Sequence, residues 1–276
     1  MNWWELFVAL ILGLVEGATE FAPVSSTGHM IIVDDILLKS KELFSEPVAN
    51  TFKVVIQLGS ILAVVVVFKE RILQLLGLKK ENSASDSSGT RLSLLHVLVG
   101  LIPAIILGFL FEDYIDEHLF SVHTVLIGLV AGAFLMLAAD WLAPSHVRTE
   151  TVDDITFSQA FLVGLFQCIA LWPGFSRSGS TISGGVLLGM SHRAAADFTF
   201  IMAMPIMAGA SALSLFKNWE YFTMEALPFF TVGFISAFIF ALLSIRFFLV
   251  LINRIQLTPF AIYRIVLAAV IYFFFL

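Results

Sequence analysis

The 276-residue chain is 59% hydrophobic but only 13% charged, with a mean hydropathy of +0.97 and a formal net charge of −6. Soluble domains carry about 25% charged residues, so this composition excludes a soluble enzyme and a nucleic-acid-binding protein. The continuous apolar runs also exclude an outer-membrane β-barrel, and the single cysteine, Cys168, excludes an internal disulfide. The class that remains is a polytopic helical membrane protein.

The apolar segments differ in length, and a spanning helix needs about 20 mostly apolar residues. In chain order, the short or broken segments are 3–20, 24–38, 157–171 and 178–190. The segments of spanning length are 50–68, 92–111, 121–142, 195–215, 226–251 and 257–275. The short segments form two pairs, and each pair is divided by a polar turn rich in Pro, Gly and Ser. Such pairs are typical of re-entrant hairpins that line a cavity.

The order of these segments repeats, because each half contains one hairpin followed by three spans. Residues of the two halves match at an offset of 151, as in Gly13 and Gly164 or Ser25 and Ser176. Because three is an odd number, the second half is expected to insert upside down. The predicted fold is an all-α polytopic membrane protein with six transmembrane helices and two re-entrant hairpins. The predicted inverted repeats comprise residues 1–145 and 146–276.

Lysine and arginine in the loops predict the orientation, because cytoplasmic loops are enriched in both. Segment 69–91 is basic and is predicted to be cytoplasmic, with a flexible stretch at 82–90. Its basic residues are Lys69, Arg71, Lys79, Lys80 and Arg91. Segment 112–120 carries only acidic charges and is predicted to lie outside. The first hairpin then enters from outside and the second from the cytoplasm, so that their tips meet near the middle of the membrane.

The first short helix carries two carboxylates where apolar residues are expected. Glu16 and Glu20 lie four residues apart and therefore share one helix face. Ionisable groups in membrane segments are costly and usually functional. Two carboxylates on one face repel each other unless a cation or a proton lies between them, and oxygen ligands suit Mg²⁺ or Ca²⁺. We therefore expect Glu16 and Glu20 to hold a divalent cation.

The first turn contains Ser25, Ser26, Thr27 and His29. Histidine is the usual proton carrier near neutral pH, so His29 is the predicted general acid or base. Ser26 is a candidate nucleophile if His29 reaches its hydroxyl group. Ser25, Ser26 and Thr27 are expected to cap the following helix, which is compatible with catalysis, and Ser25 and Thr27 are also expected to contact the substrate.

The second turn is typical of an anion site. Arg177 lies between two serines and follows a Pro-Gly pair, at the start of a predicted helix. A guanidinium group, hydroxyl groups and the free N–H groups of a helix start together match phosphate. The predicted substrate-binding residues of this half are Gly174, Ser176, Ser178, Thr181 and Gln167, the last of which occupies the position of Glu16.

Two motifs carry a resemblance to a known family. The segment EGATEFAPVSSTGH at 16–29 and the segment PGFSRSGST at 173–181 are similar to those of bacterial undecaprenyl-diphosphate phosphatases of the bacitracin-resistance type. The resemblance implies hydrolysis of undecaprenyl diphosphate to undecaprenyl phosphate and inorganic phosphate in the bacterial inner membrane. It implies a divalent cation and a site open to the periplasm. It points to Glu16 and Glu20, and to Ser26, His29 and Arg177.

Two questions stay open at the level of sequence. Inverted repeats with broken helices are also a transporter architecture, so a lipid-phosphate or anion transporter is the alternative function. The nucleophile is Ser26, His29 or a water molecule. A polyprenyl diphosphate and membrane lipids are the expected partners, because a long apolar chain belongs in the bilayer while its charged head needs a polar pocket.

Overall fold

The chain folds almost entirely into helices. A computed structural model describes residues 3–43, 45–78, 91–119 and 121–275, and in these ranges no strand forms beyond one isolated bridge between Thr149 and Met190. The α-helices are α1 Trp3–Thr19, α2 Ser26–Met30, α3 Ser40–Leu43, α4 Glu46–Val67, α5 Lys69–Leu75, α6 Leu94–His118, α7 Val122–Leu142, α8 Phe157–Ile169, α9 Arg177–Leu187, α10 His192–Lys217, α11 Leu227–Ile255 and α12 Thr258–Phe275. The flexible loop predicted at 82–90, with Lys79 and Lys80 before it, lies outside the described residues.

Five of the described helices, α4, α6, α7, α10 and α11, are long and apolar enough to cross a membrane. This confirms an all-α polytopic membrane protein. The sixth predicted span forms α12, which has 18 residues and is shorter than the other five, so the number of six spans stays a prediction. Segment 112–120, predicted as a loop, instead continues α6 as far as His118, because extending a formed helix costs little and no Gly or Pro interrupts it.

The two predicted hairpins are present and have matching packing. Helix α1 is followed by α2 and a π-helix, Ile31–Leu38, while α8 is followed by α9. A Cβ atom on Gly13 of α1 would meet the Gly233 carbonyl of α11, and one on Gly164 of α8 would meet the Gly100 carbonyl of α6. Helices whose backbones approach this closely require glycine at the contact. The repeat boundaries at 145 and 146 and the inverted insertion stay predictions.

Ion pairs join segments that the sequence assigns to the same side of the membrane. Arg71 bonds Asp153 at 2.8 Å, which links the 69–91 segment to the 143–156 segment, both predicted to be cytoplasmic. Lys217 lies 3.4 Å from Glu112, which links the ends of α10 and α6 on the predicted outer side. These contacts are consistent with the alternation of loops on which the predicted orientation depends.

One buried arginine fixes the second turn to the bundle. Arg264 of α12 is fully buried, and its Nη2 donates to the carbonyl of Gly174 at 2.9 Å and to that of Gly128 at 3.1 Å. Gly174 belongs to the turn before α9, and Gly128 belongs to α7. Nη1 of Arg264 lies 3.4 Å from the Met136 sulfur. This guanidinium group therefore ties three elements together beside the hairpin tip.

We expect Arg264→Lys to destabilise the protein, because the shorter lysine side chain places its ammonium group short of the Nη2 position that donates to both carbonyls. Losing hydrogen bonds from a charged donor should lower the free energy of unfolding by about 1.5–3 kcal/mol. Thermal unfolding in detergent, followed by tryptophan fluorescence, measures the change because Trp172 lies in the same turn. The control Arg254→Lys changes an exposed residue and should leave the midpoint unchanged. Equal midpoints for both variants would contradict the assigned role.

Candidate functional site

The tips of the two hairpins are in direct contact. Nη2 of Arg177, at the start of α9, lies 3.1 Å from Oε1 of Glu20, which follows α1. The Ser178 hydroxyl donates to the Ala22 carbonyl at 3.2 Å. These pairs join residues 157 and 156 positions apart. The contact expected from two hairpins that meet at their tips is therefore present.

Both turns have the same local geometry at their last residue. Ser25 and Ser176 have φ angles of 69° and 73°, in the left-handed region that side chains seldom adopt. Each hydroxyl accepts a hydrogen bond from the N–H three residues later, that of Gly28 at 3.3 Å and that of Gly179 at 3.2 Å. The two serines are therefore N-caps, as the sequence predicted for Ser25, and each abruptly redirects the chain into the second helix of its hairpin.

Glu20 is the residue on which the site converges. Its Oε2 accepts a hydrogen bond from the Ser26 hydroxyl at 2.7 Å, while its Oε1 pairs with Arg177. One carboxylate thus contacts the predicted nucleophile and the predicted phosphate-binding cation. A carboxylate that already accepts the serine proton in a hydrogen bond has the geometry of a general base.

His29 has partners other than Ser26. Its Nδ1 lies 2.8 Å from the Ser25 carbonyl oxygen, so Nδ1 carries the proton and donates it. Its Nε2 lies 2.6 Å from the hydroxyl of Tyr263, on α12. Since Ser26 donates to Glu20, the Ser26–His29 pair that the sequence suggested is replaced by a Ser26–Glu20 pair. The role of His29 as general acid or base stays a prediction.

Besides its ion pair with Glu20, Arg177 is held by its backbone and by weaker side-chain contacts. The Thr181 hydroxyl donates to the Arg177 carbonyl at 2.8 Å, and Thr199 in turn donates to Thr181 at 2.8 Å. Nη1 of Arg177 reaches the Thr199 carbonyl only at 3.5 Å, and Nη2 lies 3.3 Å from the Met207 sulfur. The guanidinium group therefore retains N–H donors that can bind an anion. Thr181, predicted to bind substrate, supports the start of α9 from behind.

A cavity of about 280 Å³, here called the head-group cavity, brings most predicted residues together. Its predicted lining residues are Glu20, Ser25, Ser26, Thr27, Gln167, Gly174, Ser176 and Arg177. The remaining wall is mainly apolar and comes from α6, α10, residues 170–173 and Gln57 of α4. Ser178, Thr181 and His29 do not line it, and Ser178 instead connects the two tips. The head-group cavity thus combines a cation, a carboxylate and hydroxyl groups with an apolar side.

A second cavity, of about 330 Å³, shares the wall formed by Glu20, Ser26 and Thr27. Glu16 lines it and is only 6% exposed, and the Glu16 carboxylate has no hydrogen bond or ion pair with another described residue. No group of three His, Cys, Asp or Glu side chains within the described ranges is arranged to hold a metal ion. Mg²⁺ usually binds one or two carboxylates and completes its shell with water and substrate phosphates, so the Glu16–Glu20 pair fits such an ion.

Two polar residues of α4 were missed as site residues. Gln57 lines both cavities, and Lys53 lines the second, where its Nζ pairs with Asp34 at 2.8 Å and Asp35 at 3.3 Å. Gln57 accepts from the Ser211 hydroxyl at 3.2 Å, as expected for a structural partner. The signal in the sequence was their spacing, because residues four apart in an apolar helix share one face.

Comparisons with known proteins identify the family to which the chain belongs. Residues 9–270 match the family described as bacitracin resistance protein BacA. An undecaprenyl-diphosphatase of Anoxybacillus flavithermus is 73% identical over 97% of each chain. Those of Geobacillus kaustophilus and Bacillus subtilis are 70% and 67% identical, over 99% and 98% of each chain. The chain therefore belongs to the bacitracin resistance protein BacA family.

Proposed function

We propose that this protein hydrolyses undecaprenyl diphosphate to undecaprenyl phosphate and inorganic phosphate. The observation that carries the proposal is the convergence of Ser26 and Arg177 on the two carboxylate oxygens of Glu20. The names of its relatives supply the substrate, and the apolar wall of the head-group cavity suits a lipid. The reaction recycles the lipid carrier of cell-wall synthesis, and it confers bacitracin resistance.

Phosphoryl transfer depends mainly on positioning and on neutralising charge. Arg177 offers the cation, and the start of α9 offers backbone N–H groups at the positive end of a helix dipole. A bound diphosphate draws the guanidinium group away from Glu20, because two phosphate charges attract it more strongly than one carboxylate. Glu20 is then free to accept a proton.

The contact between Ser26 and Glu20 defines the chemical step. The Ser26 hydroxyl gives its proton to Glu20, and its oxygen bonds to the terminal phosphorus. The bond between that phosphorus and the bridging oxygen breaks, and undecaprenyl phosphate leaves with the electron pair. Water then hydrolyses the phosphoserine and releases inorganic phosphate. A water molecule activated by Glu20 at the same place is the alternative to Ser26.

A divalent cation, Mg²⁺ or Ca²⁺, belongs to the proposal. Glu16 and Glu20 would hold it, since both line the second cavity and offer only oxygen ligands. When bound, such an ion neutralises charge on the diphosphate. Without it, the Glu16 carboxylate would be a buried charge with no described partner, which membrane segments rarely retain.

The proposed location is the bacterial inner membrane, with the site open to the periplasm. The acidic segment at 112–120 and the basic segment at 69–91 support this orientation. The ion pairs Arg71–Asp153 and Lys217–Glu112 each join segments assigned to one side. A diphosphate left after polymer transfer outside the membrane would then face the site directly.

Arg177→Ala should reduce kcat for phosphate release from undecaprenyl diphosphate by more than about tenfold, which corresponds to 1.4 kcal/mol in the barrier. Arg177→Lys should also be severely impaired, because an ammonium group is a point charge and not a planar fork. The measurement is phosphate release by purified protein in detergent, where no membrane gradient can drive transport. A parent protein that releases no phosphate there would favour the transporter alternative instead.

Glu20→Gln should impair turnover at least as strongly as Glu16→Gln, because only Glu20 also contacts Ser26 and Arg177. Both variants should need more Mg²⁺ for half-maximal activity, since each removes one carboxylate ligand. Titration of phosphate release with Mg²⁺ measures this. If both variants show the Mg²⁺ dependence of the parent, these carboxylates do not bind the metal.

The orientation has its own test. A cysteine at Ser26, in a Cys168→Ala background, should react in intact spheroplasts with a charged thiol reagent that cannot cross the membrane. Undecaprenyl phosphate should protect it, because Ser26 lines the head-group cavity. Reaction only in inside-out vesicles would place the opening on the cytoplasmic side.

A further inference from the structure

The apolar wall of the head-group cavity comes from two membrane helices. Ala104 of α6, together with Ile206 and Ala210 of α10, lines the cavity opposite the polar turns. Both helices are long and apolar enough to span the bilayer. The apolar side of the cavity therefore lies along the gap between two spanning helices, and α10 also reaches Arg177, whose Nη2 lies 3.3 Å from the Met207 sulfur.

Contacts between α6 and α10 lie below and above this gap. Below it, a Cβ atom on Gly100 would lie 2.6 Å from the Met202 sulfur, so the helices are tightly packed there. Above it, Glu112 of α6 pairs with Lys217 of α10 at 3.4 Å. Residues 100 and 112 are separated by about 18 Å along a helix that rises 1.5 Å per residue. The stretch between the two contacts is here called the α6–α10 window.

The window contains small residues and open space. An ideal Cβ atom on Gly209 of α10 would have no heavy atom within 4 Å. One on Gly108 of α6 would meet only Leu171, at 3.7 Å, and Leu171 lines the head-group cavity. Ala210, next to Gly209, is exposed and also lines the cavity. The window therefore adjoins the head-group cavity at Leu171 and Ala210.

A separate observation indicates that a ligand completes this cavity. Gln167 is 3% exposed and lines the cavity, and neither its amide nitrogen nor its amide oxygen has a hydrogen-bond partner within the described part of the chain. A buried polar group without a partner costs about 1–3 kcal/mol. A phosphate oxygen of a bound substrate would accept a hydrogen bond from the Gln167 amide N–H.

We propose that the α6–α10 window binds the first isoprene units of the substrate and leads the rest of the chain into the bilayer. The proposal rests on the proposed function and adds the site of the apolar chain to that of the charged head. A chain held there leaves the diphosphate beside Arg177 and Gln167. The remaining isoprene units lie among lipid acyl chains, so they require no binding site in the protein.

A second apolar groove is an alternative site for the isoprene chain. It has a volume of about 590 Å³ and lies between α7 and α12, with Phe134, Ala269 and Tyr272 among its lining residues. None of its lining residues also lines the head-group cavity. A chain in this groove would therefore need a separate path to its head group, which favours the window.

Photocrosslinking distinguishes the two grooves. A benzophenone maleimide is attached to Ala210→Cys in the window or to Ala269→Cys in the α7–α12 groove, each in a Cys168→Ala background. Both alanines are exposed, so the two labelled proteins are matched. Radiolabelled undecaprenyl phosphate should form several times more adduct at position 210, and excess unlabelled undecaprenyl diphosphate should prevent it. More adduct at position 269, or an adduct at 210 that the diphosphate does not reduce, would overturn the proposal.

Gly209→Leu supplies a kinetic test that folding does not confound. The added side chain enters open space, and leucine favours a helix more than glycine does, so the thermal midpoint should not fall. The leucine should raise KM for undecaprenyl diphosphate by about tenfold, because it occupies the path of the chain. An unchanged KM in a folded variant would contradict the window. Phosphate release by the parent protein tests the proposed function separately.

Discussion

The ion pair between Arg177 and Glu20 joins the two hairpin tips that form the candidate site. The two side chains are only 16% and 11% exposed, and a lone charge in a membrane helix costs about 2.5–3.5 kcal/mol. Because each charge compensates the other, the contact between the hairpin tips offsets this cost on both sides. The site therefore exists only when the two halves of the chain have assembled, and assembly places Ser26 against the same carboxylate.

Strain in the two turns has a similar consequence. Ser25 and Ser176 adopt positive φ angles, a conformation that costs a residue with a side chain of order 1–3 kcal/mol. Such strain persists only where surrounding contacts fix the backbone. For the second turn, Arg264 supplies them by binding the Gly174 carbonyl from α12. For the first, the Ser178 hydroxyl binds the Ala22 carbonyl across the tips. The strained backbone aims the start of each following helix at the space where the tips meet.

Much of this arrangement could be predicted from the sequence, because it depends on local patterns. The hairpins, the long helices and the polar turns follow from apolar runs and from Pro, Gly and Ser. Partners set by long-range packing could not be predicted. His29 pairs with Tyr263, which lies 234 residues away. The Ser26–Glu20 pair is local, but it depends on how the turn between the two residues folds. The end of α6 at His118 was also missed, since a helix does not stop where its apolar run stops.

The predicted repeat relates residues of the site to one another in pairs. At the offset of 151, Ser26 corresponds to Arg177 and Glu16 to Gln167. The two turns cap their helices in the same way, so equivalent positions approach each other where the tips meet. If the two halves had identical residues at these positions, two hydroxyl groups or two mutually repelling cations would lie side by side. The chemistry requires that the halves differ, and Glu20, whose counterpart is Leu171, supplies the one carboxylate that both Ser26 and Arg177 contact.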